Sequence, residues 1–195
     1  MSRYEAVVIG ASAGGLDALK TLLTRLPGDF SLPIAAVLHL HRNTKEELIN
    51  ILHRAIQLTV KYAQDKEKIK KGCVYIAPPD YHLLIEDDKT FSLSVDEYVN
   101  FSRPSIDVLF ESASDAFRER VIGIILTGAN RDGAMGLKRI KERGGTAIVE
   151  NPQSAQYPDM PSAAIAETQV DYILDIDEIA GKINGLLGGY KCKIS

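Results

Sequence analysis

The chain has 195 residues, 45% hydrophobic and 25% charged, with a formal net charge of -3. That length suits one α/β domain with a substantial core and is short for two. The mild acidity and the lack of any apolar run as long as a membrane span argue against nucleic-acid binding and direct membrane insertion.

The N-terminus, Met1-Ser2-Arg3-Tyr4-Glu5, has no signal-peptide core, so a cytoplasmic protein is expected. In chain order, Ala6 to Ile9 reads as a buried strand and Gly10 as an abrupt turn out of it. Leu16, Leu19, Leu22, Leu23 and Leu26 then recur at helical spacing. Ile34 to Leu38 is a second strand running into His39-Leu40-His41, and a helix is expected from about Thr44 to His53, with Thr44 and Glu47 as its capping box. Four short runs follow, Leu58-Tyr62, Cys73-Ala77, His82-Ile85 and Phe91-Val95, which predict short antiparallel strands extending the sheet. Cys73 lies inside one of these runs and reads as a core residue.

Pro104 occupies the expected first turn of a helix whose Ile106, Leu109, Phe110 and Ala113 share a face. Val121 to Leu126, apolar and rich in β-branched residues, is the best candidate for a central parallel strand. After the loop Thr127-Gly128-Ala129-Asn130-Arg131-Asp132-Gly133 comes a helix from Ala134 to about Arg143, closed by Gly144-Gly145, and a strand from Thr146 to Val149. Asn151 to Pro161 reads as a loop and Ser162 to Glu167 as a helix. A strand near Tyr172-Leu174 and a helix from Ile176 to Leu187 close the pattern. The expected fold class is α/β: a single doubly wound, mainly parallel sheet with helices on both faces and a short antiparallel extension. Residues 1–190 form the domain, and residues 191–195, which include Cys192, a short basic tail.

Two chemistries compete for the first strand-to-helix turn. Gly10 and Gly15 fall in register with a dinucleotide fingerprint, but Ser12 stands where that pattern needs glycine, and the second strand ends in histidine instead of an acidic residue. No phosphate-binding loop of the G-x-x-x-x-G-K-[S/T] type occurs. Gly10-Ala11-Ser12-Ala13-Gly14 fits the G-x-S-x-G elbow, which exposes a serine hydroxyl. In parallel α/β units the loops after the strands share one edge, so Ser12, His39 and Asp132 can converge there. Serine would be the nucleophile, histidine the proton carrier, and aspartate the group that fixes the histidine tautomer. The order Ser, His, Asp and the elbow's place on the first strand both differ from the α/β-hydrolases. Plainer readings stand beside this one. Ser12 serves as a turn residue, Asp132-Gly133 as a helix entry, and His39 as a hydrogen-bonded core histidine. His41 competes as the base, His82 would anchor a turn, and Arg103 is either a substrate contact or a solvated charge.

The chain also resembles the catalytic domain of the chemotaxis methylesterase CheB, a protein-glutamate methylesterase, over nearly its full length. The resemblance rests on Ile9-Gly10-Ala11-Ser12-Ala13-Gly14-Gly15, Val37-Leu38-His39-Leu40, Val74-Tyr75-Ile76-Ala77-Pro78, Arg103-Pro104-Ser105-Ile106-Asp107-Val108-Leu109-Phe110 and Ile125-Leu126 through Ala134. It implies a doubly wound fold and a triad of Ser12, His39 and Asp132, with His39 and not His41 at the family's histidine position. The implied reaction is hydrolysis of glutamyl methyl esters on the cytoplasmic domains of methylated chemoreceptors, with deamidation of glutamine by the same intermediate. It needs no metal and no organic cofactor. Backbone amides at Ala13 and Ala129 are the oxyanion candidates, and Arg103 and Met160, the latter in a loop that borders the family's site, are substrate-binding candidates. Ala13 stands where many relatives have threonine. The segment from Gly128 to Gly133 departs from the more usual Gly-Met-Gly-Asn-Asp-Gly, with Arg131 adding a cation beside Asp132. The elbow begins at residue 10, which leaves no room before it for a receiver domain, so a stand-alone esterase domain, constitutive or governed by a separate regulatory protein, is expected. The alternative is a non-catalytic module of the same fold that binds a receptor or a nucleotide.

Overall fold

The computed structural model describes residues 3–39 and 47–188. The strands that form the main sheet are β1 (Ala6–Ala11), β2 (Ile34–Leu38), β3 (Thr59–Tyr62), β4 (Cys73–Ile76), β7 (Val121–Ile125), β8 (Thr146–Glu150) and β9 (Tyr172–Leu174). Their order is β3-β4-β2-β1-β7-β8-β9, and every neighbouring pair is parallel. Between β4 and β7 in the chain, β5 (His82–Ile85) and β6 (Phe91–Ser94) pair with each other as a separate antiparallel hairpin. The helices are α1 (Gly15–Thr24), α2 (Leu48–Ala55), α3 (Ile106–Phe117), α4 (Ala134–Glu142), α5 (Asp159–Glu167) and α6 (Ile176–Leu186). No helix among the described residues is long and apolar enough to cross a membrane.

Alternation along the strands divides the core into two. Val7, Ile9 and Ala11 of β1 join Leu19, Leu22 and Leu23 of α1, Leu52 of α2 and Ile179 and Ile183 of α6. Ala6 and Val8 of the same strand join Phe110 of α3, Ile140 of α4 and Ala164 of α5. A strand buried on both faces must be apolar at every position, as β1, β2 and β7 are. The doubly wound, mainly parallel architecture expected from the sequence is therefore present, with α1, α2 and α6 on one face and α3, α4 and α5 on the other.

Several details differ from the sequence-based expectations. Only two of the four short strands between Leu58 and Val95 are antiparallel, and they do not extend the main sheet. β3 and β4 run parallel within it, joined by residues 63–72 without a helix. That connection lies along the hairpin, with Lys66 N–H donating to Phe91 O at 2.8 Å and Phe91 N–H to Glu67 O at 2.9 Å. Phe91 is fully buried, its ring 4.7 Å from that of Tyr75 in β4. The hairpin thus covers β4 where a crossover helix would otherwise lie. The helix expected from Pro104 begins at Ile106, after a cis Arg103–Pro104 bond and an extended Ser105. α5 begins at Asp159, three residues earlier than expected, which turns Met160 and Pro161 from loop into helix. Thr44 of the capping box, His41 and the 191–195 tail with Cys192 lie outside the described residues.

Gly10 is not a turn; it stays in β1, paired with Val37 and Ile125. Its reason for being glycine is a close approach: a Cβ there would lie 2.3 Å from Ile106 Cγ2 at the start of α3. Gly10→Ala is expected to destabilise the fold by about 1–3 kcal/mol through overpacking. An unchanged midpoint in urea denaturation would show that α3 can shift freely.

The chain lays β2, β4 and β3 to one side of β1, then returns through β7 to the other. The strand order therefore reverses between β1 and β7, the position at which open α/β sheets form a crevice beyond their carboxyl ends.

Candidate active site

Three segments meet at that reversal. Ala11 and Leu38 are the last register partners of β1 and β2, so Ser12 and His39 follow at matching positions. His39 N–H donates to Ala11 O at 3.1 Å, and on the other side Ser12 N–H donates to Thr127 O at 3.0 Å. Ser12 O accepts from Gly15 N–H at 2.8 Å, closing a tight turn into α1. Gly14 in that turn has φ 72, a left-handed conformation that a side chain resists, and a Cβ there would also meet Gln156. The sharp strand-turn-helix expected around Ser12 is present, with its bend at residues 12–14. The Ser12 hydroxyl makes no hydrogen bond to another described residue.

Asp132 comes from the loop after β7 and is fully buried, whereas the His39 side chain keeps 15% of its surface exposed. His39 Nε2 lies 3.1 Å from Asp132 Oδ2, within hydrogen-bond reach but off the line of a straight N–H···O bond. Four further donors converge on the same carboxylate. Ile106 N–H reaches Oδ2 at 2.7 Å; Ser105 Oγ, Asn100 Nδ2 and Asp107 N–H reach Oδ1 at 2.8, 3.1 and 3.2 Å. Asp132 thereby caps α3 from another loop, a position where the exposed N–H groups of a helix favour negative charge. Burial pushes its carboxyl up, but the hydrogen bonds from His39, Ile106, Asn100 and Ser105 outweigh that and hold it below the ordinary aspartate value. It stays an anion.

The second aspartate of the cluster behaves oppositely. Asp107 accepts from Gly136 N–H at 2.6 Å and Asn100 Nδ2 at 2.7 Å. Burial first, and then the neighbouring Asp132 charge, raise its carboxyl from 3.8 to about 6, against the lowering by Gly136 and Asn100. Folded Asp107 therefore binds a proton that the unfolded chain has already released. Its stabilising contribution is complete below the unfolded value and is lost as pH rises through about 6. Native protein should lose on the order of 2–3 kcal/mol more unfolding free energy between about pH 4 and about pH 7 than Asp107→Asn. Parallel stability–pH curves for the two proteins would contradict this. Asp132 has the reverse sign: its contribution is present above the unfolded value and disappears as pH falls through its lowered one.

Thr127 ties the Ser12 turn to the rest of the edge. Its Oγ1 donates to Ala13 O at 3.0 Å and accepts from Tyr157 N–H at 2.8 Å, and its N–H donates to Glu150 Oε2 at 2.7 Å. Gly128 is held on both sides, with its N–H on Tyr157 O at 3.1 Å and its carbonyl accepting from Met160 N–H at 2.9 Å. Met160 is 1% exposed, and its thioether packs where a Gly128 side chain would be. Because it is sealed beneath this loop, Met160 supports the Gly128–Ala129 backbone and does not face the crevice as a substrate contact. The N–H groups of Ala13 and Ala129 donate to no described residue. Arg103 donates through Nη1 to Val95 O at 2.8 Å and Asp96 O at 3.0 Å, and its guanidinium lies 4.6 Å from the centre of the Tyr98 ring. It lines a cavity of about 250 Å³, bordered also by His39, Tyr62, Tyr98 and Pro104. His82 is buried, its Nε2 2.9 Å from Glu97 O and its Nδ1 accepting from Ser105 N–H at 3.2 Å, which assigns it to the structural role of a turn anchor.

Asn100, Ser105, Thr127, Glu150 and Asn130 were not marked by sequence. Polar residues in loops carry no periodic signal, and several of these contacts join distant parts of the chain, 114 positions apart for Thr127 and Ala13.

The sequence pattern of the CheB methylesterase family matches residues 7–183. The chain belongs to the CheB methylesterase family. The CheB fold is matched in turn by the crystal structure of the Thermotoga maritima CheB methylesterase catalytic domain. The TM-score is 0.89 and the identity 35%, covering 94% of this chain and 98% of that one. A Leptospira interrogans relative, 55% identical over 91% of this chain and 92% of its own length, carries the provisional name protein-glutamate methylesterase/protein-glutamine glutaminase. A Geobacillus kaustophilus relative with that name in full is 41% identical over 93% of this chain, which spans 53% of that longer CheB protein.

Proposed function

We propose that this chain hydrolyses glutamyl methyl esters on the cytoplasmic domains of chemoreceptors, and deamidates glutamines there, by a Ser12-His39-Asp132 mechanism. The observation that carries the reading is the His39–Asp132 contact of 3.1 Å at the strand-order reversal, beside the Ser12 turn, in a chain of the CheB methylesterase family. The Ser12 Oγ electron pair forms the bond to the ester carbonyl carbon while the hydroxyl proton passes to the free nitrogen of His39. Asp132 stabilises the resulting imidazolium. The N–H groups of Ala13 and Ala129 would hold the tetrahedral oxyanion; removal of one such donor typically costs about 10²–10³ in turnover. Collapse breaks the carbon–methoxy bond, and His39 returns the proton to give methanol. Water then repeats the sequence on the acyl-enzyme and leaves a carboxylate on the receptor. Glutamine follows the same course with ammonia as the leaving group. Arg103, at the wall of the cavity beside His39, is the substrate-binding candidate of this reading.

The experiment is methanol release from a methyl-esterified receptor fragment, with ammonia release from its glutamine form in parallel. Steady methanol production by the native protein is expected. Neither product at any enzyme concentration would overturn the reading.

A further inference from the structure

The loop that delivers Asp132 carries a side chain that touches the ring of His39 from the other nitrogen. Asn130 Nδ2 lies 3.3 Å from His39 Nδ1, and Asn130 Oδ1 accepts from Asp132 N–H at 3.0 Å. The second contact decides the first. Asp132 N–H is a donor and needs an oxygen, which assigns the amide oxygen to it and turns the NH₂ group towards His39. An NH₂ group can only donate, so Nδ1 must present its lone pair. In the neutral ring the proton then resides on Nε2, where the Asp132 carboxylate is 3.1 Å away.

We infer that Asn130 is a positioning residue that selects the Nε2-protonated tautomer of His39 and so makes Nδ1 the base. Two neighbouring residues of one loop grip the ring from both nitrogens, Asp132 as acceptor and Asn130 as donor. The arrangement also has a cost built into it. When Nδ1 takes the Ser12 proton, its new N–H points at another donor, so Asn130 Nδ2 must turn aside as the imidazolium forms. Asn130 thereby orders the resting ring at the expense of the charged intermediate. The kinetic part of this rests on the methylesterase reading; the tautomer does not.

Asn130→Asp separates this role from a merely structural one. The variant keeps an oxygen for Asp132 N–H but replaces the donor facing Nδ1 with an acceptor. Long-range proton–nitrogen NMR of the His39 ring at alkaline pH reads the tautomer directly, without any turnover. Native protein should show a protonated Nε2 and a bare Nδ1, and Asn130→Asp, which sets a second acceptor against the ring, should place a proton on Nδ1 in part of the population or in a doubly protonated ring. For Asn130→Ala, kcat should fall with KM within about twofold, by roughly 10–100-fold if the loss matches that of an outer partner of a metal-bound histidine. A native ring protonated on Nδ1, or a tautomer indifferent to Asn130→Asp, would overturn the proposal even if methanol release proceeds. Loss of methanol release with the tautomer as stated would overturn the methylesterase reading and leave this assignment standing.

Discussion

Ser12→Ala is expected to lower kcat on a methyl-esterified receptor fragment by roughly 10⁴–10⁶-fold, because removing the nucleophile of such a triad leaves only binding and oxyanion stabilisation. Stability should hardly change. The Ser12 side chain is only partly buried, and its hydroxyl makes no hydrogen bond to another described residue, so the variant loses no folded-state partner. The expected shift is within about 0.5 kcal/mol. Single-turnover methanol release and a thermal melt on the same sample check both halves. Methanol release at the native rate would remove Ser12 from the mechanism. A large loss of stability would instead show that the turn at residues 12–14 depends on the hydroxyl for its shape.

Asp132→Asn combines two effects whose sizes differ. An amide cannot stabilise the imidazolium, and the mismatch with the Nε2 proton favours the wrong tautomer; a loss of about 10⁴ in kcat is expected. That corresponds to about 5.5 kcal/mol of transition-state stabilisation. The amide also carries only one accepting oxygen into a site where five donors converge on two. Leaving a buried N–H unsatisfied costs about 1–3 kcal/mol. The catalytic term is the larger one. At a temperature well below the melting transition the variant should therefore be folded and nearly inactive, with a lowered urea midpoint. Native turnover in a destabilised variant would make Asp132 a helix cap alone.

The architecture was legible because parallel strands buried on both faces read as continuous apolar runs, as Val121 to Ile125 does, and because loops after such strands share an edge. Ser12, His39 and Asp132 could be brought together on that ground without any contact being seen. Strand direction for β3 and β4 was not legible: short apolar runs look alike in either orientation, and the connection between them lacks the helix that marks a parallel crossover. From sequence alone Gly10 reads as a turn, because a glycine at a strand end has two uses and close approach to Ile106 leaves no trace in the neighbouring sequence. Met160 sits near the site in sequence terms, but the earlier start of α5 rotates it beneath Gly128. Asn130 and Asn100 carry no site signal in the sequence, because asparagine in a loop ordinarily signals only a turn and their partners are set by the fold.

In the proposed mechanism, the fivefold use of the Asp132 carboxylate would couple catalysis to local order. The donors that keep it charged include the first amides of α3, so fraying of that helix start would strip the acid of its support at the moment the helix lost its cap. Readiness to react and protection of the Ile106 and Asp107 amides from solvent exchange then belong to one cooperative opening unit. In the proposed mechanism, a change that loosened the start of α3 would lower turnover without altering Ser12.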